Sequence, residues 1–237
     1  MKTFIIVFFL CLNVSFSFAQ QNFINVPSSE VTNKGKVFFQ QQFNFNNLIQ
    51  SNTTIDLGVG KGFEIGANVL GLNFNDKKTT FINNDTNDID PYNPLLMING
   101  LKEFHFTNNL SACIGGQTGL NYIDYKTPKT AHLIYGNLLL KNLLLKNSSI
   151  VLGGYYNSKH YGGKDGNRIG LWIGSEVYIT QKFHIVAESI LGHNALCYSS
   201  FGTVYYINKK IPLTFGVQIP NTKNNSYCLV FELTIVP

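Results

Sequence analysis

The stretch Gly58-Val59-Gly60-Lys61-Gly62-Phe63-Glu64-Ile65-Gly66 sets glycines at alternate positions around a lysine. A phosphate-cradling loop has that look, but it requires a helix after the glycines and a Lys-Ser/Thr ending. Neither is present. Phe63 to Val69 instead alternates apolar and other residues, as a strand does. Ile55, Leu57, Val59, Phe63 and Ile65 share one face only if the chain reverses near Gly60. The glycines then supply the positive backbone angles of a tight turn, and the stretch reads as a β-hairpin.

Working outward from this hairpin, the same unit recurs along the chain. Near the C-terminus Leu229, Phe231, Leu233 and Ile235 alternate with Cys228, Val230, Glu232 and Thr234. Before it, Ile211, Leu213, Phe215, Val217 and Ile219 alternate with Pro212, Thr214, Gly216 and Gln218. Period two over about ten residues, with polar groups on one face only, is the pattern of a lipid-facing barrel strand. The spacing predicts about twelve strands: 35–45, 50–59, 62–74, 94–106, 110–122, 130–143, 149–157, 167–179, 183–191, 196–207, 211–219 and 225–236. The fourth, sixth and seventh alternate poorly. Every second connection is short (GKG, TNN, KNSS, TQK, NKK), and the others are mostly longer. Outer-membrane barrels carry short periplasmic turns and longer external loops on an even number of strands. The expected fold is therefore all-β: a single antiparallel, up-and-down transmembrane barrel.

The ends and the composition point the same way. Lys2, the apolar run from Phe4 to Leu12 and the small-x-small site Ser17-Phe18-Ala19 predict a secretory signal peptide over 1–19. Residues 20–34 are then expected as a periplasmic N-terminal segment and 35–237 as the barrel. Charged residues make up 13% of the chain against 44% hydrophobic, well below the roughly 25% charged of soluble domains. The net charge of +5 falls to +4 without Lys2, too mild to argue for a nucleic-acid partner. Cys113, Cys197 and Cys228 are an odd number with neither disulfide nor metal spacing.

In Val26–Phe45 (VPSSEVTNKGKVFFQQQFNF), in Ser51–Gly71 (SNTTIDLGVGKGFEIGANVLG) and in its Asn-rich, charge-poor composition, the chain resembles outer-membrane β-barrel proteins of Gram-negative bacteria. More narrowly it is similar to small barrels of Bacteroidota. The resemblance implies an outer-membrane location, outer-membrane lipid and the barrel assembly machinery as partners, and a transport role. It brings no catalytic residues. One departure is the ending Val236-Pro237, where many such barrels end on an aromatic residue. Either Phe231 serves in a shifted assembly signal or insertion follows a variant rule.

Alternation turns Asp56, Glu64, Glu176, Glu188 and Glu232 inward, with Gln40, Gln42, Asn68, Gln117, His184 and Gln218 beside them. Phe38, Trp172, Tyr178 and Val186 also point inward and would narrow the lumen. A turn near Gly60 sets Asp56 opposite or diagonal to Glu64, and one near Gln181 sets Glu176 diagonal to Glu188. Three readings stay open. The first is a non-enzymatic, narrow pore or transporter for a small solute with an acidic lumen. The second is a plugged structural or surface-interaction barrel whose external loops bind a partner, its acids meeting Lys102, Lys141, Arg168 or His184. The third is a secreted soluble β-sandwich. His193 precedes Ser199 and Ser200, and His160 lies in a Gly-rich loop, but no motif joins either to a nucleophile. No enzyme, cofactor or metal site is expected, and Asp85 to Asp90 reads as a solvated acidic loop without the glycine and distal glutamate of a calcium site.

Overall fold

The computed structural model describes residues 22–74, 82, 91–121, 129–143, 145–223 and 225–237. Twelve antiparallel strands close into one barrel, each paired with its sequence neighbours and β1 with β12. They are β1 (Val37–Phe45), β2 (Ile49–Gly60), β3 (Phe63–Phe74), β4 (Leu95–Thr107), β5 (Leu110–Leu120), β6 (Thr130–Lys141), β7 (Ser148–Asn157), β8 (Ile169–Tyr178), β9 (Phe183–Ile190), β10 (Tyr198–Asn208), β11 (Ile211–Pro220) and β12 (Cys228–Ile235). A single helical turn, α1 (Lys159–Gly162), follows β7. Closure of one sheet on itself excludes the sandwich reading. It also leaves no unpaired edge, which a membrane demands because no water is there to satisfy one.

The Gly58–Gly66 stretch is the β2–β3 hairpin. Gly60 pairs with Phe63 across Lys61 and Gly62, whose φ angles of 54° and 73° are the two positive values a type I′ turn requires. Gly58 has a different task. A Cβ there would lie 2.2 Å from the carbonyl oxygens of both Thr32 and Asn33, so only glycine lets the N-terminal chain pass. Gly35 N–H donates to Gly58 O at 2.8 Å, and Gly58 N–H to Lys36 O at 3.0 Å. The predicted strand ends differ from these by a few residues. The poorly alternating β4, β6 and β7 nevertheless pair along their lengths with both neighbours.

The outer face is an apolar belt. Ile98, Ile114, Ile134, Leu171, Phe201, Phe215 and Leu229 are each more than half exposed. In water such a belt would far exceed the patch size a soluble protein tolerates, so this face is built for hydrocarbon. At the short-turn rim Lys102 points outward in β4. Its ammonium sits 4.3 Å from the Phe63 ring centroid and 5.3 Å from that of Phe104, and bonds to Lys61 O. A long side chain can thus remain on an apolar face while its charge reaches the interface.

Residues 22–32 lie inside the barrel rather than ahead of it as a separate periplasmic segment. Phe23, Ile24 and Val26 are at most 2% exposed and join an apolar cluster with Val151, Trp172, Val186 and Val204. Inward glycines make room for them. A Cβ on Gly174 would lie 2.5 Å from the Phe23 ring, and Cβ atoms on Gly202 and Gly216 would lie 3.3 and 3.1 Å from Ile24 Cδ1.

Candidate functional site

Two zones divide the interior. In one, acidic side chains and the N-terminal segment meet. Glu188, 4% exposed, gathers the backbone N–H groups of Ile24, Asn25 and Val26 at 2.9–3.1 Å. Asn25 Nδ2 and the Ser200 hydroxyl donate to the same carboxylate at 2.9 and 3.0 Å. A carboxylate serves this role because it accepts several donors at once without a hydrogen of its own to place. Glu64 accepts from Thr32 N–H at 2.6 Å. Lys141 donates to Glu30 at 2.6 Å, and Asn137 Nδ2 donates to Pro27 O at 2.8 Å while its Oδ1 accepts from Trp172 Nε1 at 2.6 Å. Burial outweighs the attraction of Lys141 and holds the Glu30 carboxyl above its ordinary pKa.

Glu176, predicted inward, bonds His184 at 2.7 Å, and the imidazole packs between Tyr178 and Tyr206. Gly174 pairs with Glu188 and Glu176 with Val186, so the two carboxylates are diagonal neighbours. Asp56 and Glu64 are diagonal as well, through the pairs Asp56–Gly66 and Gly58–Glu64. Each diagonal leaves its acids with separate partners. Glu232 is wholly buried and takes the hydroxyls of Thr214 and Thr234 at 3.5 and 3.1 Å. The predicted inward Gln40, Gln42, Asn68 and Gln218 are buried too, Gln117 is half-buried, and Phe38, Trp172 and Val186 lie in the core.

Toward the long loops the wall is made of amides. A cavity of about 730 Å³ extends from the N-terminal segment to that end, lined by Gln40, Gln42, Asn44, Gln50, Asn52, Asn68, Asn73, Asn99, Gln117 and Gln218 among others. Asn99 Nδ2 donates to both Asp56 and Asn68, at 2.8 and 2.9 Å. Asn68 donates to Gln117 Oε1, and Gln117 to the Tyr161 hydroxyl at 2.6 Å. A chain of hydrogen bonds thus runs from Asp56 to the turn α1. Beside α1, His160 stacks on Tyr92 at 4.5 Å, and burial holds its pKa below the ordinary value. Asp56, Glu64 and Glu30 are the carboxylates on the cavity wall. Glu176, Glu188 and Glu232 do not reach it.

Gly66 faces Asp56 across the β2–β3 pair, where a Cβ would lie 1.9 Å from Asp56 Oδ1 and 2.4 Å from Ile55 O. Gly66→Ala is expected to displace Asp56 from Asn99 and to cost about 1–3 kcal/mol. Denaturant unfolding in lipid vesicles measures this, and an unchanged midpoint would refute the packing described.

Alternation did not reveal Glu30, Asn99, Glu103, Asn137, Lys141 as a wall residue, or Tyr161. Glu103 is 5% exposed and 3.1 Å from His105, but the run Gly100-Leu101-Lys102 hides the period of β4. Of the four bases Lys102, Lys141, Arg168 and His184, Lys141 and His184 meet acids. Arg168 bonds the carbonyls of Gly163 and Lys164, and Lys102 faces outward. The adjacent Ser199 and Ser200 project to opposite faces, toward Ser189 and Asn221 and toward Glu188 respectively, and neither bonds a histidine. No group of three or more metal-ligating side chains occurs among the described residues. The acidic stretch Asp85–Asp90 lies outside them.

A closed twelve-strand antiparallel barrel with an apolar exterior and a polar interior has the architecture of outer-membrane β-barrel proteins. Two solved porin structures share this fold. A KdgM porin in complex with disordered oligogalacturonate superposes with a TM-score of 0.58 at 9% identity, covering 84% of this chain and 99% of its own. A second KdgM porin structure gives 0.53 at 8% identity, over 84% and 96%. The outer membrane phospholipase A of Escherichia coli gives 0.46 at 11% identity, over 86% and 92%. No family model matches the chain, and no curated protein matches it. At these identities the likeness concerns the fold.

Proposed function

We propose that this protein is a non-enzymatic outer-membrane pore for a small solute, closed in the observed state by its own residues 22–32. The observation carrying this reading is the division of the interior. A roomy polar cavity extends to the long-loop end, while buried carboxylates clamp the N-terminal segment beside it. With that segment withdrawn, Asp56, Glu64, Glu176, Glu188 and Glu232 would border the passage and favour cations, as carboxylate rings do in other pores. One neighbouring porin holds oligogalacturonate, a polymer of anionic sugars. No lysine, arginine or histidine lines this cavity among the described residues, so a ligand of that charge would find no counter-charge.

The well-bonded segment equally favours a second reading, a permanently plugged barrel that acts through its external loops. Planar-bilayer recordings distinguish the two. The pore reading expects brief, infrequent openings with a cation-selective reversal potential under a salt gradient. Anion selectivity would refute the acidic passage. Silence in the parent and in plug-loosened variants alike would leave the plugged barrel.

A further inference from the structure

Resting on the reading of the cavity as a solute chamber, we propose that its ligand is a neutral, hydroxyl-rich molecule, a saccharide of more than one ring. The volume of about 730 Å³ falls among small-molecule sites, which span roughly 300–1,000 Å³. The chemistry of the wall selects the class. An amide side chain has two N–H donors and two acceptor positions on its oxygen. Asn68 donates once to Gln117 and accepts once from Asn99, and Gln117 donates once to Tyr161 and accepts once from Asn68. Each therefore keeps one donor and one acceptor while its neighbours hold it in orientation. A sugar hydroxyl, which both donates and accepts, is the complement of that pair. An anion would have only the donors to use.

A second amide run lies on the adjoining strands β1 and β2. Gln42 donates to Asn44 at 2.8 Å, and Asn44 to Gln50 at 3.4 Å. Farther round the wall, on β6, the half-buried Tyr135 reaches the cavity, backed by Trp172 of β8 with ring centroids 5.5 Å apart. The Tyr135 ring supplies an apolar face for the C–H surface of a sugar ring, while amides take its hydroxyls. Lysine, arginine and histidine are absent from the described lining, and the carboxylates Asp56, Glu64 and Glu30 oppose a negative ligand. These features together separate a neutral polyol from an acidic oligosaccharide of equal size.

Trp172 is the single tryptophan of the chain and touches the chamber, so its fluorescence reports occupancy without labelling. The full-length protein, refolded in detergent, would be titrated with maltose, cellobiose, xylobiose and mannobiose. The uronic-acid counterparts of these sugars and inorganic phosphate would serve as charged comparators. Saturable change with at least one neutral disaccharide is expected, with the uronic acids at least about tenfold weaker. Asn68→Leu and Gln117→Leu, with the barrel shown folded by circular dichroism, should each weaken the neutral sugar about tenfold. Equal or tighter binding of the acidic forms, or no saturable response to any neutral sugar, would overturn the assignment. Because the readout needs no current, a protein that binds sugar but never conducts would refute the pore and leave the ligand class standing. One that conducts but binds no sugar would do the reverse.

Discussion

Glu188→Gln is expected to open the barrel. The carboxylate of Glu188 holds three successive backbone N–H groups of the N-terminal segment, from Ile24, Asn25 and Val26. Glutamine keeps the volume but loses the charge and one acceptor oxygen, and its amide N–H₂ would face those donors. Hydrogen bonds to a charged group contribute about 1.5–3 kcal/mol each. Losing about 2 kcal/mol of docking energy would shift the closed–open balance by roughly thirtyfold. Single-channel recordings should therefore show a large rise in open probability. Glu188 also accepts from Ser200, so a second variant guards against a folding defect. Gly174→Val acts from the wall, driving into the Phe23 ring where even a Cβ would lie only 2.5 Å away. It should raise open probability by displacing Phe23, and it leaves the Glu188 carboxylate itself in place beside it. If both variants insert normally and neither conducts more than the parent, the segment is a structural plug and not a gate.

The second large effect concerns the outer surface. Phe215→Arg should abolish most insertion into lipid vesicles, whereas Thr54→Arg should fold with nearly the parent yield. Phe215 is half exposed at the middle of β11 and packs against the outward Phe231 with ring centroids 5.1 Å apart. An arginine near the bilayer midplane costs about 2–4 kcal/mol. Thr54 lies on the opposite face of the sheet, at the wall of the polar cavity, where a cation finds water and Asp56 nearby. Folding yield by heat-dependent gel migration measures both variants. Similar yields would mean that the apolar belt does not meet hydrocarbon.

The extent to which each feature was legible in the chain follows from the range of the interactions that make it. The strands and their faces were readable because side chains alternate with period two, a property of the backbone alone. The same holds for Asp56 and Glu64. Once the turn at Gly60–Gly62 is recognised, their diagonal relation needs only counting. Glu103 was hidden because Gly100 and Leu101 blur the alternation of β4, and its inward direction is evident only from the ladder with β5, where it pairs with Cys113. Residues 22–32 were harder still. Their sequence has no period, and they resemble a polar tether. Their partners Glu188, Asn137 and Glu64 lie far along the chain, from Thr32–Glu64 at 32 residues to Ile24–Glu188 at 164. A trace did exist, in the inward glycines Gly174, Gly202 and Gly216, which leave gaps in a wall otherwise made of large side chains. A gap indicates that something fills it without naming the occupant.

By itself, the sequence determined a twelve-strand barrel with short turns at one end, an apolar outside and a polar inside. Those properties depend on neighbours one or two residues apart and on the chemistry of the face each side chain occupies. Only the tertiary structure decided what the acids do. Glu188, Glu64 and Glu176 are equivalent as inward carboxylates in the sequence. In the folded barrel one gathers the backbone of the N-terminal segment, one receives Thr32, and one is paired with His184. Closure of the sheet brings β9, β3 and β8 around a common interior, and the chain entering that interior assigns each carboxylate its partner. A buried charge must be satisfied by whatever donor the fold carries to it, and no local pattern records which one that will be.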